Sequence, residues 1–181
     1  AALLFALSNN TLFSRLHEAV HGVLLPHTAA NRWAGRFAAL WFPTGFAVQH
    51  AFHLTHHRNN RSAAEQFDIL HPQDVRWLKY AQWYAIFTGL YWPISVLGVV
   101  LYALTPRLVR QMLLRLFGKQ GSAQTSADDY GGILDTLPAA TRLEVLAALA
   151  WQGLLLWLMG GHLAAWLACY AAFGLLWSSL Q

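Results

Sequence analysis

Two long stretches of this chain carry no Asp, Glu, Lys or Arg: residues 80–106 and residues 145–181. A helix needs roughly 20 apolar residues to cross the hydrocarbon layer of a bilayer. The second stretch is long enough for two short crossings, and Gly160-Gly161 splits it into arms of hairpin length. Charge is scarce throughout. DEKR make up 11% of the residues and AVILMFWYC 56%, with a mean hydropathy of +0.35. A typical soluble domain is about 25% charged, so a water-soluble globule of 20.2 kDa would be short of polar groups to cover its surface. The composition also excludes a disordered chain and a coiled coil. The reading is an all-α integral membrane protein, multi-pass, built from short transmembrane helices and hairpins as one domain over residues 1–181.

A net charge of +4 points to no nucleic acid. In a membrane protein, Lys and Arg mark the cytoplasmic loops instead. The lone Cys169 has no intrachain partner and no CxxC companion for zinc, and reads as a small buried hydrophobe. The chain starts with Ala, and begins and ends in apolar sequence, as a piece of a longer chain would.

Residues 2–25 read as a helix that Pro26 stops, and His27–Arg36 as a polar stretch. Residues 37–57 are apolar, interrupted by Pro43 and Gly45, and end in histidines. Residues 58–79 are the most polar segment. The apolar run 80–104 has Pro93 near its middle. A basic stretch with Arg107, Arg110, Arg115 and Lys119 follows, then a Gly/Ser/Asp loop over 118–136. If the basic stretch and the Arg-flanked histidine segment share the cytoplasmic side, run 80–104 cannot cross once. It should dip in and return, or lie along the interface, with a break that Pro93 allows.

Nine histidines are present, and five of them fall in two patterns. His17 and His21 stand at i and i+4, which puts both imidazoles on one helix face. His53, His56 and His57 form HLTHH, and i, i+3 and i+4 also share a face. Imidazole suits iron, zinc and copper, and ionisable groups near membrane depth are costly enough to mark function. The string HEAVH matches the zinc metalloprotease pattern HExxH, with Glu18 as its general base and His27 at the place of a third ligand. That match has Leu24 where the longer motif has Gly, and it leaves HLTHH unexplained. A third class is a histidine-rich membrane protein that binds or carries metal without catalysis.

Taken together the boxes are more specific. HEAVH, some thirty residues and then HLTHHR, among apolar helices, resembles the membrane fatty acid desaturase family. HGVLLPHTAANRWAGRFAALWFP is similar to that family's link between first and second boxes, and FGLLWSSLQ to the segment before its third box. The resemblance implies two non-haem iron ions held by histidines on the cytoplasmic side of the membrane. It implies O2 as co-substrate and two electrons from a donor of ferredoxin or cytochrome b5 type. Hydrogens are then removed from a lipid acyl chain to leave a double bond; related members hydroxylate or ketolate lipids or carotenoids. On this reading His17, His21, His53, His56 and His57 are metal ligands, there is no catalytic residue beyond them, and membrane lipids surround the protein. The family's third HxxHH box would follow residue 181 and its first transmembrane helix would precede residue 1. The expectation is therefore a partial desaturase-like domain, truncated at both ends and inactive alone. The Ala- and Leu-rich composition gives the impression of a bacterial inner-membrane protein.

The remaining candidates read more plainly. Glu18 is expected to hydrogen-bond a ligand imidazole, or else to be an exposed charge. His50 reads as polar lining near the site, His27 as a loop residue, and Asp68 with His71 as a solvated loop pair. His162, just after the Gly-Gly turn, falls on the far side of the membrane. Arg58 and Arg61 read as flanking charge that fixes topology, or as contacts to lipid phosphate or an acidic electron donor. Trp33, Trp41, Trp77, Trp83 and Trp92 read as interface anchors.

Overall fold

The computed structural model describes residues 1–60, 69–70, 72, 74–117 and 132–180, with the side chains of 116–117 and 178–180 left aside. Among the described residues the chain is all α. The helices are α1 (Ala2–Val20), α2 (Thr28–Ala39), α3 (Phe46–Asn59), α4 (Arg76–Thr88), α5 (Tyr91–Leu104), α6 (Pro106–Phe117), α7 (Ala140–Leu158) and α8 (Leu163–Leu180). A short helical turn occupies 132–136, inside the stretch read as loop.

α1 stops before Pro26. Gly22 takes φ 77°, its N–H bonds the Ala19 carbonyl at 3.1 Å, and the Val23 N–H reaches back to the Glu18 carbonyl at 3.0 Å. This is a Schellman stop, for which glycine's lack of a Cβ suits the left-handed turn. The polar stretch that follows forms α2. Asn31, buried in it, donates to the Ala19 carbonyl at 2.8 Å and accepts from the Leu25 N–H at 3.1 Å. Both ends of the 21–27 connection are thereby tied to α2. Residues 40–45, with Pro43 and Gly45, separate α2 from α3.

α1 and α8 run parallel. Phe5 meets Tyr170 at 5.1 Å between ring centroids, and two turns later Phe13 meets Trp177 at 5.9 Å. Between them Phe42, Trp92 and Phe173 interlock edge-on or tilted, at 5.4–5.5 Å. Such pairs contribute about 0.5–1.5 kcal/mol each beyond their buried area. Trp92 is 5% exposed, so it belongs to this core rather than to an interface belt, whereas Trp33 and Trp77 are exposed.

α4 and α5 together are apolar enough to cross a membrane but bend by 112°. The bend lies at Gly89, where φ is 74°, and not at Pro93, which sits in the first turn of α5. A proline is tolerated there because the N–H it lacks has no helical partner. The bend seats Gly89 backbone to backbone against Gly174 of α8, which brings Trp92 into the core. α7 is long and apolar enough to cross a membrane by itself, and the apolar part of α8 is the shorter Leu163–Trp177. The half-buried Cys169 on α8 carries a free thiol.

Close packing at Gly35 joins α1, α2 and α3. A methyl group there would fall 2.9 Å from the Ala19 Cβ and against the Phe46 ring. Replacing Gly35 by Ala overpacks this junction and is expected to cost about 1–3 kcal/mol. The check is a thermal melt of the purified variant beside the parent; an unchanged midpoint would contradict the packing described.

Candidate metal centre

The Schellman stop leaves His17 in the last turn of α1 and His21 as its C-cap residue. α3 then returns past that end with His53 and His57 one turn apart. One ligand atom from each of His17, His21, His53 and His57 lies within 4.8 Å of all the others. Ring centroids stand 4.5 Å apart for His17–His53 and His53–His57, and 4.9 Å for His21–His57. His53 is the hub. Its Nε2 lies 3.1 Å from Nε2 of His21 and 2.9 Å from Nε2 of His57.

Hydrogen bonding alone accounts poorly for this convergence. A neutral imidazole Nε2 offers one hydrogen or one lone pair, so a single His53 atom cannot serve both neighbours well. A cation suits all three nitrogens. Two nitrogens about 2.1 Å from one ion and at right angles to each other stand about 3 Å apart. The donor set thus fits a metal that prefers imidazole: iron, zinc or copper. His53 is half-buried while the other three face outward. Desolvation first, and then the like charges of His17, His57, His21 and His56, pull its pKa down to about 4. It is therefore neutral at pH 7, the form that binds metal.

The other sequence candidates fall around this group or away from it. His56 stands beside it, 6.3 Å from His53 and 5.8 Å from His57 between centroids, outside the set of four. His50 is one turn back on α3, against the Phe46 ring at 5.8 Å. Burial first, then Arg32 and His21, lowers its pKa. Among the described residues Glu18 hydrogen-bonds no imidazole; it pairs with Arg15 at 2.9 Å on the exposed surface. His27 is the exposed N-cap residue of α2 and is not in the group, which joins His17 and His21 to His53 and His57. His162 opens α8, at the opposite end of the parallel α1–α8 pair from the group. Arg58 is exposed near the end of α3. Arg61, Asp68, His71 and Lys119 lie outside the described residues.

Sequence reasoning passed over the residues that hold the two histidine helices in place. Gly22 and Asn31 set the end of α1. Glu144 on α7 accepts from Arg36 Nε and from the Ala47 N–H, each at 2.8 Å. Two turns further along α7, Gln152 donates to the Leu40 carbonyl at 2.9 Å. The Tyr170 hydroxyl lies 2.7 Å from Gln152 Oε1 and 3.1 Å from the Trp41 carbonyl. One legible signal was present: Glu144 is the last charged residue of the chain.

Among the described residues the chain is an all-helical protein that gathers four imidazoles from two helices at one end of its packed core, a group that could hold a metal ion. The family model for fatty acid desaturase matches residues 1–181, the whole chain, and the chain belongs to that family. Comparison with curated proteins and with solved structures gives no match.

The lowered His53 pKa carries a stability consequence. Between its folded value of about 4 and the ordinary 6.5, the unfolded chain binds a proton that the folded chain does not. Stability is present above pH 6.5 and is lost as pH falls toward 4. Metal-free protein should therefore melt progressively lower from pH 7 to pH 4.5, and His53→Ala should flatten that dependence. Parallel curves for parent and variant would contradict it.

Proposed function

We propose that this protein is an O2-dependent membrane oxidoreductase that introduces a double bond into a lipid acyl chain at a histidine-held di-iron centre. The observation that carries the reading is the convergence of His17, His21, His53 and His57 in a chain matched along its whole length by the fatty acid desaturase family. These four would hold iron, with His56 beside them as a further ligand. Iron bound there supplies the activation of O2. The balance is one CH2–CH2 unit, O2, two electrons and two protons giving one CH=CH unit and two waters. The electrons come from a one-electron carrier of ferredoxin or cytochrome b5 type.

The chain's own groups prepare the centre. Neutral imidazoles leave iron redox-active with positions open to O2. The half-buried His53 lies at the inner side of the group, and the exposed His57 at the outer side. The aromatic core packs against one face of α1 below the group, through Phe5 and Phe13. The length and apolarity of α7, and of the bent α4–α5 pair, support a membrane location. A multi-pass arrangement with the histidine end on the cytoplasmic side agrees with Arg15, Arg32, Arg36 and Arg58 lying on the elements around that end.

The test is metal content and product. The intact protein, purified in detergent, should carry iron in preference to zinc. His53→Ala should lose most of it, while His162→Ala at the other end should keep it. Lipids of cells expressing the parent should gain double bonds that cells expressing His53→Ala lack. Zinc retained through His53→Ala, with no change in lipid unsaturation, would overturn the proposal in favour of a zinc site.

A further inference from the structure

The second histidine helix begins badly by its own sequence. The first N–H groups of any α-helix lack partners within the helix, and Ser, Thr, Asp or Asn at the N-cap normally supplies one. Here the N-cap of α3 is Gly45, which has no side chain, and its φ of 72° suits no other residue well. The missing acceptor comes from elsewhere in the chain. Glu144 Oε2, 97 residues away on α7, accepts from the Ala47 N–H in the first turn of α3 at 2.8 Å. Its other oxygen, Oε1, accepts from Arg36 Nε of α2 at 2.8 Å, and the Glu144 side chain is only 18% exposed. The joint is tight on the backbone side as well. A Cβ at Gly45 would touch Glu144 Cβ and Val145 Cγ2, both at 3.4 Å.

We propose that Glu144 is a positioning residue for the histidine centre: it caps α3 from α7 and so fixes where His53 and His57 stand against His17 and His21. This rests on the metal reading above. A carboxylate at a helix N-terminus meets both the free N–H groups and the positive end of the helix dipole. Its bonds to a backbone amide and a guanidinium are charge-assisted, hence short and directional. His53 is six residues beyond Ala47, about 9 Å along the axis, so Glu144 touches no ligand. It acts through the rigid helix between them. A metal site tolerates about 0.5 Å of ligand displacement before function suffers, and α3 freed at its start can slide or rotate by more than that. Arg36 makes the joint three-sided, because α2 also carries Asn31, which secures the His21 end of α1. One carboxylate therefore couples both halves of the ligand set to α7.

The test uses the intact protein in detergent, stripped of metal, with Co2+ as the probe. Glu144→Ala removes both bonds, and Glu144→Gln keeps the shape and one oxygen acceptor. Leu143→Ala, at the exposed neighbouring position, is the control. Circular dichroism and elution volume establish that each variant is folded. The expected result is Co2+ affinity weakened about tenfold or more in Glu144→Ala, less in Glu144→Gln, and unchanged in Leu143→Ala. The d–d absorption bands should shift in Glu144→Ala, a change that loss of stability alone does not produce. Parent-like affinity and spectrum in folded Glu144→Ala would overturn the inference. If that variant does not fold, the same parent-like result in Glu144→Gln overturns it. Hydrogen exchange of the Ala47 amide, read without metal, separates the two claims. If the folded parent takes up no Co2+, the metal reading falls, while faster exchange in Glu144→Gln still establishes the cap and unchanged exchange refutes it.

Discussion

The most demanding placement in this fold is a meeting of imidazole nitrogens from two helices. His21 and His53 are 32 residues apart in sequence, and their Nε2 atoms lie 3.1 Å apart in space. Helix geometry supplies the pairs within each helix for nothing, since i and i+4 share a face. It supplies no relation between the two helices. That relation needs α1 to end at a fixed place, α3 to start at a fixed place, and both to be fastened to something that does not move. Gathering the imidazoles costs desolvation and mutual repulsion of their charged forms, which is what lowers the pKa of His53. The surrounding structure must hold them against that cost.

The fastening is polar at the histidine end and aromatic further down. α2 acts as a brace: Asn31 ties it to the end of α1, Gly35 lets it approach Ala19 and Phe46 closely, and Arg36 reaches across to Glu144. Below, Phe13, Phe42, Trp92 and Phe173 fill the space between α1, the 40–45 connection, α5 and α8. Interlocked rings give a stiff core because each packs against several others at a preferred angle. Polar bonds fix direction at the histidine end, and rings fill the volume further down.

Most of the architecture was legible because it is written locally. Uncharged stretches announced α7, α8 and the α4–α5 pair, and the spacing of His17, His21, His53, His56 and His57 pointed to one cluster, of which His17, His21, His53 and His57 converge while His56 stands beside them. What stayed hidden depends on tertiary partners. The end of α1 was placed at Pro26 because proline is a conspicuous stop, yet Gly22 acts first through a left-handed turn. His27–Arg36 read only as a polar stretch because its charges hide a helix that packs Asn31, Gly35, Ala38 and Ala39 on its buried face. Trp92 looked like an interface residue because nothing local says that the Gly89 bend folds α5 back onto α8. Glu18 looked like a partner of histidine, but Arg15 lies one turn away and takes it.

The α7–α8 hairpin is the piece that turns these local choices into one object. It enters the structure beside the start of α3, where Glu144 and then Gln152 take hold of backbone groups that flank the 40–45 break. It turns at Gly160-Gly161 and returns parallel to α1, with Tyr170 closing the same polar joint from the other arm. Its remaining side chains are almost wholly apolar. Buried polar groups without partners are expensive, so each polar residue on such a hairpin is informative about what it holds. Glu144, Gln152 and Tyr170 all hold the same thing: the short connection between the brace and the second histidine helix. With these three side chains the apolar hairpin fixes where that connection, and so the start of the second histidine helix, stands.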